Sequence, residues 1–272
     1  SYHFNEIVEA LQGAKKYLPE VDGIGISSAG IVIDNLLKAS SLFMKVDKDI
    51  FKERCTDIYI RAAQVIGDVP LKIANDGDVS ALAGAMGLKE TQVLGIAMGT
   101  SEAAGYVNMH GNITGWLNEL AFAPVDLSVS AMRDEWSGDI GVGCKYFSQD
   151  AVIKLAPEAN ISFDSGLTPA QKLLQIQNLL ESGSNGARDI FETIGCYLGH
   201  TLPLYDHFYD IKNVILLGQV TSGKGGEIIL DIAKKVLEEE YSYLNGKVNV
   251  ILPNENIRRV GQSVAAASLP KL

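Results

Sequence analysis

Val93-Leu-Gly-Ile-Ala-Met98, the turn Gly99-Thr-Ser101 and Ala103-Ala-Gly-Tyr-Val107 form the stretch on which the fold depends. Both flanks are apolar and strand-length, and the small polar residues between them predict an antiparallel pair. The segment 113–122 reads as a third strand. Asn108-Met-His-Gly-Asn112 then supplies the second tip, with Gly111 suited to positive φ. A polar stretch reads as irregular to about 185. Beyond it a helix is predicted over 187–209, with Ile190, Phe191, Ile194, Leu198 and Leu202 as its apolar stripe and a kink at Pro203. A strand at Asn213–Leu217, a helix over 227–241, a strand over 247–252 and a helix over 261–269 follow.

Upstream, Phe4, Ile7, Leu11 and Leu18 recur at helical spacing over 4–18. Asp22-Gly-Ile-Gly-Ile-Ser27 reads as a buried strand ending in the turn Ser28-Ala-Gly30. A helix over 49–66, a strand over 69–74, the turn Asn75-Asp-Gly-Asp78 and a small-residue helix over 79–86 come next. The second half therefore runs β-β-β-α-β-α-β-α. The first half is the same string without its three opening strands. This predicts an α/β protein of two lobes. The first spans 1–93, is partial, and is joined by a returning helix at 258–272; the second spans 94–257. Strands and turns of ordinary length put the expected missing part at about 50–60 residues before Ser1.

Composition narrows the functional classes. With 23 Lys+Arg against 33 Asp+Glu, the 272-residue chain carries a formal charge of −10. That argues against binding to a nucleic-acid backbone, which requires clustered cations. No apolar run approaches the length of a membrane span. Cys55, Cys144 and Cys196 are odd in number and widely separated, so neither a disulfide framework nor a zinc knuckle is expected, and a cytoplasmic location is.

A duplicated lobe with this element order is the architecture of the sugar kinase, actin and heat-shock ATPase superfamily, the actin-like or ribonuclease H-like fold. Three stretches resemble the ROK family of sugar kinases and sugar-responsive repressors. Ile24-Gly-Ile-Ser-Ser-Ala-Gly30 is similar to its IGxxxPG turn. Val69-Pro-Leu-Lys-Ile-Ala-Asn-Asp-Gly-Asp-Val-Ser-Ala-Leu-Ala83 is similar to PVxVxNDxNxxAL. Gly95-Ile-Ala-Met-Gly-Thr100, followed by Gly105 to Gly111 and Glu119-Leu120, resembles a GTGxGxG hairpin ending in GExGH. Ile215-Leu-Leu-Gly218 and the segment 261–267 resemble its later nucleotide-side strand and closing helix.

The resemblance implies an ATP-dependent sugar kinase. Asp76 would take the proton from a sugar hydroxyl, a poor nucleophile without a base. Asn75, Glu119 and Gly30 would contact the sugar. Gly99, Thr100 and Ser101 would hold phosphate, and Gly218 and Gln219 would face the nucleotide. ATP and Mg²⁺ are the implied cofactors; the implied partners are a monosaccharide, the nucleotide and a second copy in a homodimer. Read locally, Asn75 to Asp78 is also simply a turn into a helix capped by Asp78.

Several positions depart from the family. Ser101 and Glu102 stand where small residues are usual, and Glu102 is expected to bring negative charge near the triphosphate. The GExGH pattern reads Asn118-Glu-Leu-Ala-Phe122. The cysteine-rich zinc motif is reduced to Gly141-Val-Gly-Cys-Lys-Tyr146, with Tyr146 where a sugar-binding Glu is usual. Cys144 alone cannot make a four-ligand site, so no zinc is expected and Cys144 reads as a buried apolar residue. His200 and His207 share a helix face and read as structural or exposed.

Gly218-Gln-Val-Thr-Ser-Gly-Lys224 fits GxxxxGK, but Gly225 replaces the Mg²⁺-holding Ser or Thr and too little chain follows. Gly223, Gly225 and Gly226 read instead as a flexible helix entry. The alternatives to the kinase are a non-catalytic sugar sensor of repressor type and a degenerate relative binding neither ligand.

Overall fold

The computed structural model describes residues 2–18 and 20–270, apart from the side chains of 255–260. The chain opens with α1 (Tyr2–Lys15), β1 (Ile24–Ser28), β2 (Ile31–Ile33) and β3 (Leu36–Ala39). Helices α2 (Lys48–Arg54) and α3 (Ile58–Gln64) lead into β4 (Leu71–Asn75) and α4 (Asp76–Leu88). β1 and β4 pair in parallel, from Ile24 opposite Leu71 to Ser28 opposite Asn75.

The β2–β3 hairpin lies where the sequence reading placed no element. Asp34 and Asn35 are both left-handed, at φ 53° and 61°, as a two-residue hairpin loop requires. Asn35 then stitches the hairpin to β4: its Nδ2 donates to the Leu71 carbonyl at 2.9 Å, and its Oδ1 accepts from the Ile73 N–H at 2.8 Å. The helix expected over 49–66 is two helices. At the corner between them, the Thr56 carbonyl accepts from the Leu37 N–H on β3 at 2.8 Å.

The second half contains β5 (Val93–Met98), β6 (Glu102–Val107), α5 (Gln149–Leu155), α6 (Pro169–Glu181) and α7 (Asn185–Asp206). It continues with β7 (Asn213–Leu217), α8 (Gly223–Glu240), β8 (Asn249–Ile251) and α9 (Glu255–Ala267). The strand order is β6-β5-β7-β8, with the β5–β6 pair antiparallel and β7 parallel to both its neighbours.

The third strand expected over 113–122 is absent. Ile113 makes an isolated bridge to Val107, after which the chain leaves the sheet and ends in a short 3-10 turn at Leu120–Phe122. The stretch read as irregular to about 185 holds α5 and α6. A reciprocal cap starts α6, with the Thr168 and Gln171 side chains each bonding the other's backbone and Pro169 at the first helical position. Pro203 lies inside α7, which continues to Asp206.

Strand alternation gives β5 two buried faces. Leu94, Ile96 and Met98 join the main core with Phe147, Phe191, Ile194, Leu198 and Ile229, under α5 to α8. Val93 faces the other way, with Ile215, onto α4. Helix α4 is therefore covered on two sides, by the β5–β6 pair and by α9, which also packs on β1. This explains its small residues: added methyl groups at Gly84 or Gly95 would run into Ile215 and Ala81 respectively. Among the described residues no helix is long and apolar enough to cross a membrane.

Candidate functional site

The end of β4 places Asn75 and Asp76. Asn75 is extended, and its Oδ1 caps α4 by accepting from the Gly77 N–H at 2.7 Å. The cap is thus Asn75, and the local expectation that Asp78 caps the helix is corrected. The Asn75 Nδ2 donates to the Gly30 carbonyl at 2.9 Å, so Gly30 and Asn75 hold each other across the β1–β4 sheet edge. Gly30 has no room for a Cβ against Ser40.

Asp76 begins the helix, is half-buried, and accepts from the Gly77 N–H at 3.1 Å. It sits at the carboxyl end of a parallel strand, where ligand sites open in α/β folds. The first turn of α4 lies flat on β6. A Cβ at Gly77 would strike the Ala104 backbone, and one at Gly105 would strike the Asp78 backbone. From the other side, Gln262 of α9 donates to the Asp76 carbonyl at 3.2 Å and to the Ser80 hydroxyl at 2.9 Å. The backbone at Asp76 is therefore gripped by β4, β6 and α9 together.

Glu119 lies on the chain that leaves β6. It is exposed, yet partial desolvation and then the nearby charge of Asp76 raise its carboxyl above the ordinary value. The two sequence-predicted carboxyls are thus near enough for the charge of Asp76 to act on Glu119. A third carboxyl, Asp78, lies beneath them, buried at 7% exposure. Burial pushes its pKa up to about 7 against the pull of hydrogen bonds from Asn118 and the Tyr106 backbone; the charges of Asp76 and Glu119 push the same way as burial. The Asn118 Nδ2 donates to Asp78 Oδ1 at 2.8 Å, and the Tyr209 hydroxyl donates to Asn118 Oδ1 at 3.0 Å. Sequence reasoning treated Asp78 only as a cap, Asn118 only as a departure and Tyr209 not at all. The left-handed Asn118, at φ 51°, was the available signal, because Asn tolerates that conformation where a Gly is usual.

The residues predicted for phosphate and nucleotide sit on two neighbouring turns at the carboxyl ends of β5 and β7. Thr100, Ser101, Gly218 and Gln219 are exposed there. Gly218 has φ 93° and no room for a Cβ against the Met98 backbone, so the two turns touch. They open on different hollows. Thr100 and Ser101 line one of about 310 Å³ with Lys145 and Gln149. Gly218 and Gln219 line another of about 270 Å³ with Ser80 and with Gln262, the residue that also bonds the Asp76 backbone carbonyl. The hydroxyls and exposed turn backbone fit phosphate oxygens and a nucleotide.

Glu102 does not bring charge to this turn. Its side chain points inward and is buried at 5% exposure. Among the described residues neither carboxyl oxygen has a hydrogen-bond partner, and burial pushes the pKa up to about 8. The expectation of a negative charge beside a triphosphate is corrected: at neutral pH this carboxyl is largely protonated and faces the core.

Other departures are structural. Tyr146 is buried at 3% exposure, donates to Asp126 Oδ2 at 2.7 Å and accepts from the Met132 N–H at 3.0 Å. Phe122 contacts Trp136 at 5.7 Å between ring centroids. Burial, then the charge of Asp134, push the Cys144 thiol up to about 11, which opposes a thiolate. Among the described residues no group of three or more His, Cys, Asp or Glu side chains is arranged to hold a metal ion. A protein-only Mg²⁺ site therefore does not fit. The neighbouring Lys145 is buried among Asp134, Glu135 and Asp150, at 3.1, 2.7 and 2.6 Å.

The GxxxxGK segment is not a phosphate loop of the usual kind. Lys224 donates to the Leu180 carbonyl at 3.3 Å, at the end of α6. Gly225 and Gly226 lie inside α8, where Gly225 packs under the Phe191 ring; the expected flexible entry is instead a close-packed first turn. His200 Nδ1 pairs with the Tyr241 hydroxyl at 3.0 Å.

No protein-family model matches the sequence, and no curated protein does. Solved structures do match. A ROK family glucokinase from Streptomyces griseus, in complex with glucose and AMPPNP, is 20% identical; the match covers 98% of this chain and 88% of that one, at a TM-score of 0.67. A ROK family transcriptional regulator described as a homolog of the E. coli MLC protein is 16% identical, over 97% and 67%, at 0.74. A ROK hexokinase from Thermus thermophilus is 15% identical, over 96% and 84%, at 0.70. The chain therefore has the two-lobed α/β fold of the ROK sugar kinases and of a ROK transcriptional regulator.

Proposed function

We propose that the protein is an ATP-dependent sugar kinase of the ROK type, working at the junction of the two lobes with Asp76 as general base. The observation that supports this most is the placement of Asp76. It is a half-buried carboxylate at the carboxyl end of β4, near enough to Glu119 for its charge to act there, and its backbone carbonyl is bonded by Gln262, which lines the hollow with Gly218 and Gln219. ATP, when bound, supplies the phosphoryl group, and Mg²⁺ would arrive on its phosphates, since among the described residues no cluster fits it.

The roles of the residues follow from their positions. Asp76 accepts the proton as the sugar oxygen bonds to phosphorus and the bond from phosphorus to the departing ADP oxygen breaks. Glu119 accepts a hydrogen bond from a neighbouring hydroxyl and orients the ring. Asn75 keeps one amide hydrogen and one lone pair beyond its bonds to Gly30 and Gly77, enough for one more sugar contact. Thr100 and Ser101 hold phosphate oxygens. The inward, protonated Glu102 leaves their turn without a repelling charge.

The test is ADP release with Mg-ATP across a panel of hexoses and amino sugars. Asp76→Ala should lower kcat by about 10²–10⁴-fold at an unchanged melting temperature. Full activity in that variant removes Asp76 from the mechanism.

A second reading, a sugar sensor without catalysis, is favoured by the 0.74 TM-score to the ROK transcriptional regulator. Stabilisation by a sugar but not by nucleotide, in thermal-shift measurements, would select it.

A further inference from the structure

We propose that Asp78, acting through Asn118, is the positioning residue that sets Glu119 against Asp76. The inference rests on the kinase reading for its consequence, but its geometry is independent of that reading.

Asp78 is buried in the first turn of α4, with its backbone against Gly105, so its carboxyl is turned away from solvent. Its carboxyl is the fixed end of a directed chain. Tyr209 donates to the Asn118 oxygen, and the Asn118 nitrogen donates to Asp78. Both ends of the Asn118 amide are therefore fixed and its orientation is unique. Tyr209 is itself packed against both Tyr106 and Trp116, so the anchor at that end is held as well.

Glu119 is the next residue along. It has φ −78° and ψ 58°, the centre of a three-residue turn in which the Leu120 N–H donates to the Asn118 carbonyl at 2.8 Å. A left-handed residue followed by this tight turn projects the Glu119 side chain outward, while Leu120 is buried. The segment has left the sheet, so no strand ladder fixes it. The bond from Asn118 to Asp78 is a direct side-chain tie between it and the helix that carries Asp76. One short connection thus sets the relative position of the candidate base Asp76 and the candidate sugar-binding carboxyl of Glu119.

Three variants test this. Asn118→Gly keeps the left-handed backbone and deletes both side-chain bonds. Asp78→Ala deletes the acceptor, and Asp78→Asn retains one. The first two should weaken sugar KM about tenfold, the worth of one charge-assisted hydrogen bond, with the ATP KM unchanged. Asp78→Asn should restore sugar KM to within about twofold of the parent. In parallel, carbon-detected NMR titration of Glu119 without ligand should show its raised pKa falling toward the ordinary value in Asn118→Gly, as the side chain leaves Asp76.

An unchanged sugar KM together with an unchanged Glu119 titration in Asn118→Gly overturns the proposal. So does an Asp78→Asn variant as impaired as Asp78→Ala, because charge rather than the accepted bond would then be at work. If the parent protein phosphorylates no sugar, the kinase reading fails separately and the Glu119 titration alone decides the tie.

Discussion

Two carboxyls lie buried beneath the two candidate ligand turns, and they are held in opposite ways. Asp78 sits under the β4–α4 junction with Asn118 and the Tyr106 backbone bonded to it. Glu102 sits under the β5–β6 turn with neither oxygen partnered among the described residues. Both are pushed upward by burial, Asp78 to about 7 and Glu102 to about 8. The contrast separates two uses of a buried acid. One is a joint between segments that must keep register. The other contributes no bond, and is tolerated because protonation removes its charge.

Stability against pH gives the largest expected effect. Glu102 ordinarily ionises near 4.5, and its folded pKa is about 8. The folded state therefore holds the proton more tightly than the unfolded chain. Stability from this group is fully present below pH 4.5 and is lost as pH rises toward 8. Glu102→Gln removes that titration, and at pH 8 it should be more stable than the parent by on the order of 4 kcal/mol. Equilibrium denaturation at pH 5 and pH 8 reads the gap, which should nearly vanish at the lower pH. A constant gap would mean that Glu102 is ionised or solvated in the fold.

Asp78→Ala should cost about 1–3 kcal/mol, because the Asn118 amide loses its acceptor in the interior. Its partner variant Asp78→Asn should cost less at pH 7 and should flatten the pH dependence between about 4 and 7, since Asp78 carries the same sign as Glu102. Tyr209→Phe is the mildest, at about 0.5–1.5 kcal/mol, for one donor removed from Asn118. If Tyr209→Phe proved as damaging as Asp78→Ala, the directed chain would be the wrong description of that cluster.

The contrast also marks how far the sequence could be read. The alternation of strands and helices, the small-residue helix after Asn75 and the turns at Gly99 and Gly218 were all legible, because they depend on local periodicity and turn chemistry. Glu119 came from a motif. What was not legible depended on contacts distant in sequence. Asp78 is 40 residues from Asn118, and Asn118 is 91 from Tyr209. Neither separation leaves a local trace.

The apolar flanks of Asp34-Asn35 and the Thr168-Pro-Ala-Gln171 cap are local signals for elements the reading omitted. The third strand failed for a different reason. The apolar residues Trp116 and Leu117 suggest burial, yet both are 55% exposed where the chain leaves the sheet. Glu102 shows a limit of another kind. Its identity suggested charge at the surface, and the pairing of Met98 with Glu102 at the head of the hairpin turned it inward.

The return of α9 onto β1 and α4 has a consequence for synthesis of the protein. Gly25 has no room for a Cβ because the backbone at Ala266 crosses it, and Gln262 secures the carbonyl of Asp76. A ribosome must therefore release the segment as far as Ala266, well beyond Asp76, before the acid that heads α4 is gripped on every side. Contacts spanning such a distance close slowly. A nascent chain halted near residue 250 would carry a finished β5–β7 platform and an unclamped Asp76.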